Sequence, residues 1–186
     1  MSDRDTEITL IRKAMEGEAS AFGTLYDKYQ PRIFRFIFLK VSHREEAEDL
    51  THQVFLSAWQ NVERFVDEGL PFSSWLYRIA RNKVIDFYRT HRRATTLESV
   101  PEEILVADEN IEGLAEKKLK IENVYRALQE LTDEQRDVIL LRFVDELSYE
   151  EIAASLKRNQ TTIRVIQYRA IKKIKKVLKQ KYESNH

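Results

Sequence analysis

The residues with the most chemical promise lie near the C-terminus, in SYEEIAASLKRNQTTIRVIQYRAIKK, Ser148 to Lys173. From Lys157 to Lys181 the chain carries Lys157, Arg158, Arg164, Arg169, Lys172, Lys173, Lys175, Lys176, Lys179 and Lys181, and no acidic residue. Arg and Gln side chains can pair their hydrogen bonds with guanine and adenine edges, while later bases along a helix hold phosphate. The chemistry this offers is recognition of nucleic acid. A Lys-rich helix can equally be a solvated face, so the neighbouring elements have to decide.

Those elements favour recognition. Ile152, Ala153 and Leu156 give a first helix its apolar face. A short polar break follows, and Asn159 suits the N-cap of a second helix because its side-chain oxygen can accept from a first-turn amide. The second helix buries Ile163, Ile166, Ala170, Ile171, Ile174, Val177 and Leu178, spaced by three or four. Its other face then shows Gln160, Thr161, Arg164, Val165, Tyr168, Arg169, Lys172 and Lys173. This is the pattern of a helix-turn-helix whose second helix enters the major groove N-terminus first.

A second stretch with chemical potential is FSSWLYRIARNKVIDFYRTHRR, Phe72 to Arg93. Arg78, Arg81, Lys83 and Arg89 alternate there with Trp75, Tyr77, Phe87 and Tyr88. Aromatic faces with cations suit unpaired bases, since stacking is worth about 1–3 kcal/mol per base and the cations hold the backbone. Trp75 and Phe87 also fit a core stripe. Just upstream, HREEAEDLTHQVFLSAW opens with Glu45, Glu46, Glu48 and Asp49, which favour a helix dipole. Asp49, Gln53 and Leu56 share a face distinct from the apolar stripe of Leu50, Val54, Phe55, Ala58 and Trp59, as a partner surface would.

Composition bounds the rest. Lys+Arg equals Asp+Glu at 31 each in 186 residues, so distribution rather than net charge carries information. The chain has no cysteine, which excludes a disulfide scaffold and thiolate metal sites. The four His are scattered without metal-ligand spacing, and no Gly-rich phosphate loop or nucleophile motif is present, so neither an enzyme nor a cofactor or metal is expected. The opening MSDRDTEITL lacks the order of a secretion signal, and no apolar run reaches membrane-spanning length. With four Gly and three Pro, long helices are expected.

Helical periodicity marks the remaining elements: Phe22, Leu25, Tyr26, Tyr29, Ile33, Phe36 and Ile37; then Val54 to Val62; then Trp75, Leu76, Ile79, Ala80, Val84 and Phe87. Ser42–Glu45, Thr132–Gln135 and Ser148–Glu151 have capping-box spacing. Between Ala94 and Gly113 the acids Glu98, Glu102, Glu103, Asp108, Glu109 and Glu112 stand with Pro101 and no base, which reads as a flexible acidic linker. The expected fold is all-α: helical domains at 8–93 and 114–181, joined by the linker at 94–113, the C-terminal one a helix-turn-helix with no further domain after it.

Taken in order, EAEDLTHQVFLSAW, PFSSWLYRIARNKVIDFYR and LTDEQRDVILLRFVDELSYEEIAASL resemble a bacterial sigma factor of the sigma-70 family, extracytoplasmic-function (ECF) group. The resemblance covers about residues 18–93 and 114–178. It implies a transcription initiation factor that binds core RNA polymerase through the helix of Glu46, Asp49, Gln53, Phe55 and Leu56. The loop RFVDEGLPF would capture a flipped base of the −10 element, and Arg78, Arg81, Asn82 and Lys83 would face melted DNA. Gln160, Thr161, Arg164, Val165, Tyr168, Arg169 and Lys172 would read the −35 duplex. The implied partners are core polymerase, promoter DNA (duplex at −35, single-stranded at −10) and an anti-sigma factor. The implied setting is the cytoplasm and nucleoid, or retention at the inner membrane by a membrane anti-sigma factor, without membrane insertion. The free chain is expected to be a monomer.

The sequence departs from the family pattern at the turn, where Lys157 replaces the usual Gly and a left-handed backbone would carry strain. Ile166 and Gln167 stand where many members have Arg and Leu. The rival reading is a helix-turn-helix regulator that binds palindromic duplex DNA as a dimer, without polymerase.

Overall fold

A computed structural model describes residues 3–66, 69–90 and 114–184, and among these the regular structure is entirely helical. The helices are α1 (Asp3–Met15), α2 (Ala19–Val41), α3 (Arg44–Asn61), α4 (Phe72–Thr90), α5 (Leu114–Gln129), α6 (Asp133–Phe143), α7 (Tyr149–Leu156) and α8 (Gln160–Ser184), with a 3₁₀ turn at Val62–Arg64. The chain divides into two compact units near Ala94. The acidic stretch 94–113 lies outside the described residues.

In the N-terminal unit α1 starts at Asp3, ahead of the expected beginning at residue 8. It buries Ile11 and Ala14, a stripe too short to stand out by periodicity. Gly17, at φ 90°, closes it in the left-handed region, with its N–H on the Ala14 carbonyl at 3.0 Å. Helix α2 then runs straight through Pro31. An interior Pro costs about 3 kcal/mol. Against that, Leu25, Tyr29, Ile33, Phe36 and Ile37 on both sides of it form one buried stripe, and each such side chain contributes about 1.5–3 kcal/mol. Burial wins several times over.

Across from this stripe α3 presents Ala47, Leu50, Val54 and Ala58, and α4 presents Phe72, Leu76, Tyr77, Ala80 and Val84. Phe36 meets Tyr77 edge-on at 5.4 Å between centroids. The capping box expected at Ser42–Glu45 does not form. Ser42 instead ends α2 in the left-handed region, φ 61°, its N–H on the Phe38 carbonyl at 2.8 Å. α3 starts one residue later than that box requires, with His43 as an N-cap that makes no side-chain bond. The chain has only Ser42 and His43 in which to turn, so the left-handed residue that terminates α2 cannot also take the extended backbone of a cap.

The C-terminal unit is closed by local caps. Thr132 and Gln135 form a full capping box at the start of α6. Ser148 and Glu151 do the same for α7, at 2.6 and 3.2 Å. Arg136 is buried and donates from Nε to the Leu128 carbonyl and from Nη2 to that of Gln129, at 3.0 and 3.2 Å. It thereby adds a second donor to the Leu128 carbonyl, which also accepts from the Leu131 N–H at 3.2 Å, and satisfies that of Gln129 at the end of α5. The core beneath is Tyr125, Leu128, Leu131, Val138, Leu140, Leu141, Ile152, Ile163 and Ala170.

Candidate nucleic-acid interfaces and partner surface

Helix α7, the turn at Lys157–Asn159 and helix α8 build the first candidate surface. Lys157 takes φ 52°, the left-handed conformation its position suggested. The N–H of Arg158 closes the turn on the Ala153 carbonyl at 2.9 Å. Asn159 Oδ1 accepts from the Thr162 N–H at 2.7 Å, the N-cap that starts α8. Ile163 and Ala170 are fully buried, and Ile166 and Gln167 lie half-buried at the margin of the stripe. Gln160, Thr161, Arg164, Val165, Tyr168, Arg169 and Lys172 are all exposed, Tyr168 at 68%. About three and a half turns of α8 thus offer a continuous face of donors, one large aromatic and positive charge.

Sequence reasoning missed one participant. Tyr149, the first residue of α7, lies under two guanidiniums: Arg164 at 4.4 Å from the ring centroid and Arg142 at 4.9 Å. Arg142 also donates from Nη1 to the Leu147 carbonyl at 2.7 Å. No spacing rule pairs these residues. The only signal was a polar aromatic at a helix start on a solvated face.

The second surface is the exposed face of α3. Asp49, Gln53 and Leu56 come together there, one helical turn apart, and Leu56 is 57% exposed. Glu46 sits half-buried at its upper edge. Phe55 does not belong to this face. It is 4% exposed, with Tyr26 edge-on at 4.7 Å and Phe22 at 6.5 Å. It packs into the core instead of joining the face expected to meet polymerase: one residue past Val54 on the helix wheel, its side chain still falls within the wide stripe covered by α2.

On α4, Asn82 is exposed and Arg78, Arg81 and Lys83 are half-buried, so cations line the solvent side of the helix. Trp75 is half-buried in an aromatic trio with Phe72 at 5.2 Å and Phe65 at 5.5 Å, while Phe65 and Phe72 stand 5.3 Å apart. Tyr88 donates its hydroxyl to the Lys40 carbonyl at 2.7 Å. Of the loop before α4, Asp67 and Glu68 lie outside the described residues, and Val66 is 71% exposed. Among the described residues no cluster of three or more His, Asp or Glu could hold a metal ion, and no helix is long and apolar enough to cross a membrane.

Two helical units, one ending in a helix-turn-helix with a basic exposed face, define a protein that handles DNA. Comparison with known proteins narrows this. Residues 25–94 match Sigma-70 region 2, and residues 127–176 match Sigma-70, region 4. The ECF RNA polymerase sigma factor BldN of Streptomyces coelicolor is 34% identical over 95% of this chain and 67% of its own length. SigW of Bacillus subtilis, another ECF RNA polymerase sigma factor, is 30% identical over 91% of this chain and 95% of its own. Among solved structures, CnrH in complex with the cytosolic domain of CnrY superposes with TM-score 0.71 at 26% identity, over 94% of this chain and 98% of that one. The sigma factor RpoE in complex with the anti-sigma factor NepR from Bartonella quintana gives 0.65 at 25% identity, over 85% and 96%. The chain belongs to the ECF RNA polymerase sigma factors.

Proposed function

We infer that this chain is a transcription initiation factor that binds core RNA polymerase and directs it to promoters, reading duplex DNA with its C-terminal unit and holding the opened strand with its N-terminal one. The observation that carries this is the ordered pair of regions 2 and 4 together with the exposed basic face of α8. Asp49, Gln53 and Leu56, with Glu46 at the edge, form the polymerase-binding face. Arg78, Arg81, Asn82 and Lys83 lie toward melted −10 DNA. Gln160, Thr161, Arg164, Val165, Tyr168, Arg169 and Lys172 meet the −35 duplex, where phosphate contacts position the helix and paired donors specify bases. The protein is not itself a catalyst; bond-making stays with the polymerase. It works in the cytoplasm, on the nucleoid, and the likeness to RpoE bound to the anti-sigma factor NepR supports control by an anti-sigma factor.

In vitro transcription tests the reading. Core polymerase with and without this protein, on a genomic promoter library, should give promoter-specific starts only when it is present. Arg164→Ala or Arg169→Ala should then weaken −35-dependent initiation by about 1–3 kcal/mol in duplex affinity. Tight, dimeric binding to a palindromic duplex without polymerase would instead identify a regulator.

A further inference from the structure

Helix α1 precedes the segment matched to Sigma-70 region 2, which begins at residue 25. Two of its side chains nonetheless reach the approach to α4. Arg4 donates from Nη2 to the Gly69 carbonyl at 2.6 Å. Glu7 Oε1 accepts from the backbone N–H of Phe72, the first residue of α4, at 3.3 Å. Its other oxygen, Oε2, accepts from Lys28 Nζ at 2.8 Å and from the Tyr29 hydroxyl at 2.5 Å. The Glu7 side chain is only 12% exposed.

One carboxylate thus ties three helices. Oε2 fixes it to α2, in the core of the unit, and Oε1 caps the free amide at the start of α4. Hydrogen bonds to an ionised carboxylate are about twice as strong as neutral ones, and a negative charge at a helix N-terminus is favoured. Phe72, the residue so held, also meets Phe65 edge-on and Trp75 at a tilt, so the same anchor bears on Phe65 and Phe72, the two ends of the segment that leads into α4. Arg4 adds a hold within that segment, at Gly69, whose φ of 80° belongs to the left-handed region.

We propose that α1 is a strut that sets the path of the chain into α4, with Glu7 and Arg4 as positioning residues for capture of the opened −10 strand. The proposal deepens the sigma-factor reading and rests on it. Glu7 and Arg4 touch no DNA; they act through the backbone at Gly69 and Phe72. A merely structural role would lower the stability of the whole unit and weaken polymerase binding with it. A positioning role separates the two.

The test uses the full chain alone and bound to core polymerase, with Glu7→Gln and Arg4→Ala as variants and Arg12→Ala, exposed on α1, as control. The probe for the complex is a single-stranded oligonucleotide carrying the −10 sequence of a promoter that the wild-type protein opens. Each variant should weaken oligonucleotide binding by about tenfold, the loss of one charged hydrogen bond. Polymerase affinity should be unchanged, and amide exchange in the free chain should rise only across residues 69–76. Unchanged oligonucleotide affinity overturns the proposal. So does exchange that rises throughout α1–α4, or polymerase affinity that falls in step. If the wild-type complex ignores the oligonucleotide, the sigma-factor reading itself fails, while a local rise in exchange would still establish the strut.

Discussion

The guanidinium of Arg164, central to the proposed reading face of α8, rests 4.4 Å from the centroid of Tyr149, a residue of the preceding helix. A cation over an aromatic face at this distance is worth about 0.5–1 kcal/mol at an exposed site. Tyr149 therefore narrows the rotamers open to Arg164 before DNA arrives, which lowers the ordering cost of binding.

Tyr149→Ala should weaken affinity for the −35 duplex by about two- to fivefold, the equivalent of that interaction. Tyr149→Phe should leave it intact, because the ring and not the hydroxyl holds the guanidinium. Fluorescence anisotropy over a salt series checks this. The salt slope should stay constant in both variants, since no phosphate-neutralising charge is removed.

The faces of α3 should separate by phenotype. Asp49→Ala, Gln53→Ala and Leu56→Ala should weaken association with core polymerase by about 1 kcal/mol or more each where they form the centre of the contact, with thermal melting unchanged. Phe55→Ala should do the reverse, costing about 3–5 kcal/mol of stability through the cavity left beside Phe22 and Tyr26. Melting curves paired with polymerase titrations distinguish the two.

Lys157 holds a left-handed backbone at φ 52° with a side chain attached. The conformation costs a residue with a Cβ about 1–2 kcal/mol. Lys157→Gly should stabilise the C-terminal unit by about 1 kcal/mol, raising its melting temperature by about 4–8 °C if it unfolds alone. Differential scanning calorimetry reads the shift directly.

The acids of 94–113 carry no base among them. Replacing Glu98, Glu102, Glu103, Asp108, Glu109 and Glu112 by Ala or Ser should reduce productive initiation if their charge mimics nucleic acid in the polymerase channel. Full-length and abortive transcripts on one promoter provide the measurement; unchanged yields of both would remove the mimicry.

Much of the site was legible beforehand because its causes are local. Thr132 with Gln135, Ser148 with Glu151, and Asn159 with Thr162 each bond within one turn, so spacing along the chain sets the partner. The exposure of Arg164, Tyr168 and Arg169 likewise follows from their angle around α8 relative to Ile163 and Ala170. Ser42 escaped the same logic, because the tight α2–α3 turn uses it to end α2 and so overrides its capping-box spacing with Glu45.

By itself, the amino-acid order determined where helices run, which stripe of each is apolar, where charge collects, and hence the family. Only the packed molecule decided that Phe55 is core, that Tyr149 supports Arg164, and that Glu7 reaches Phe72 across 65 positions. The reason is geometric. Periodicity fixes a side chain's direction around its own helix axis, but how deeply it is covered, and which distant atom meets it, depends on where a second helix lies.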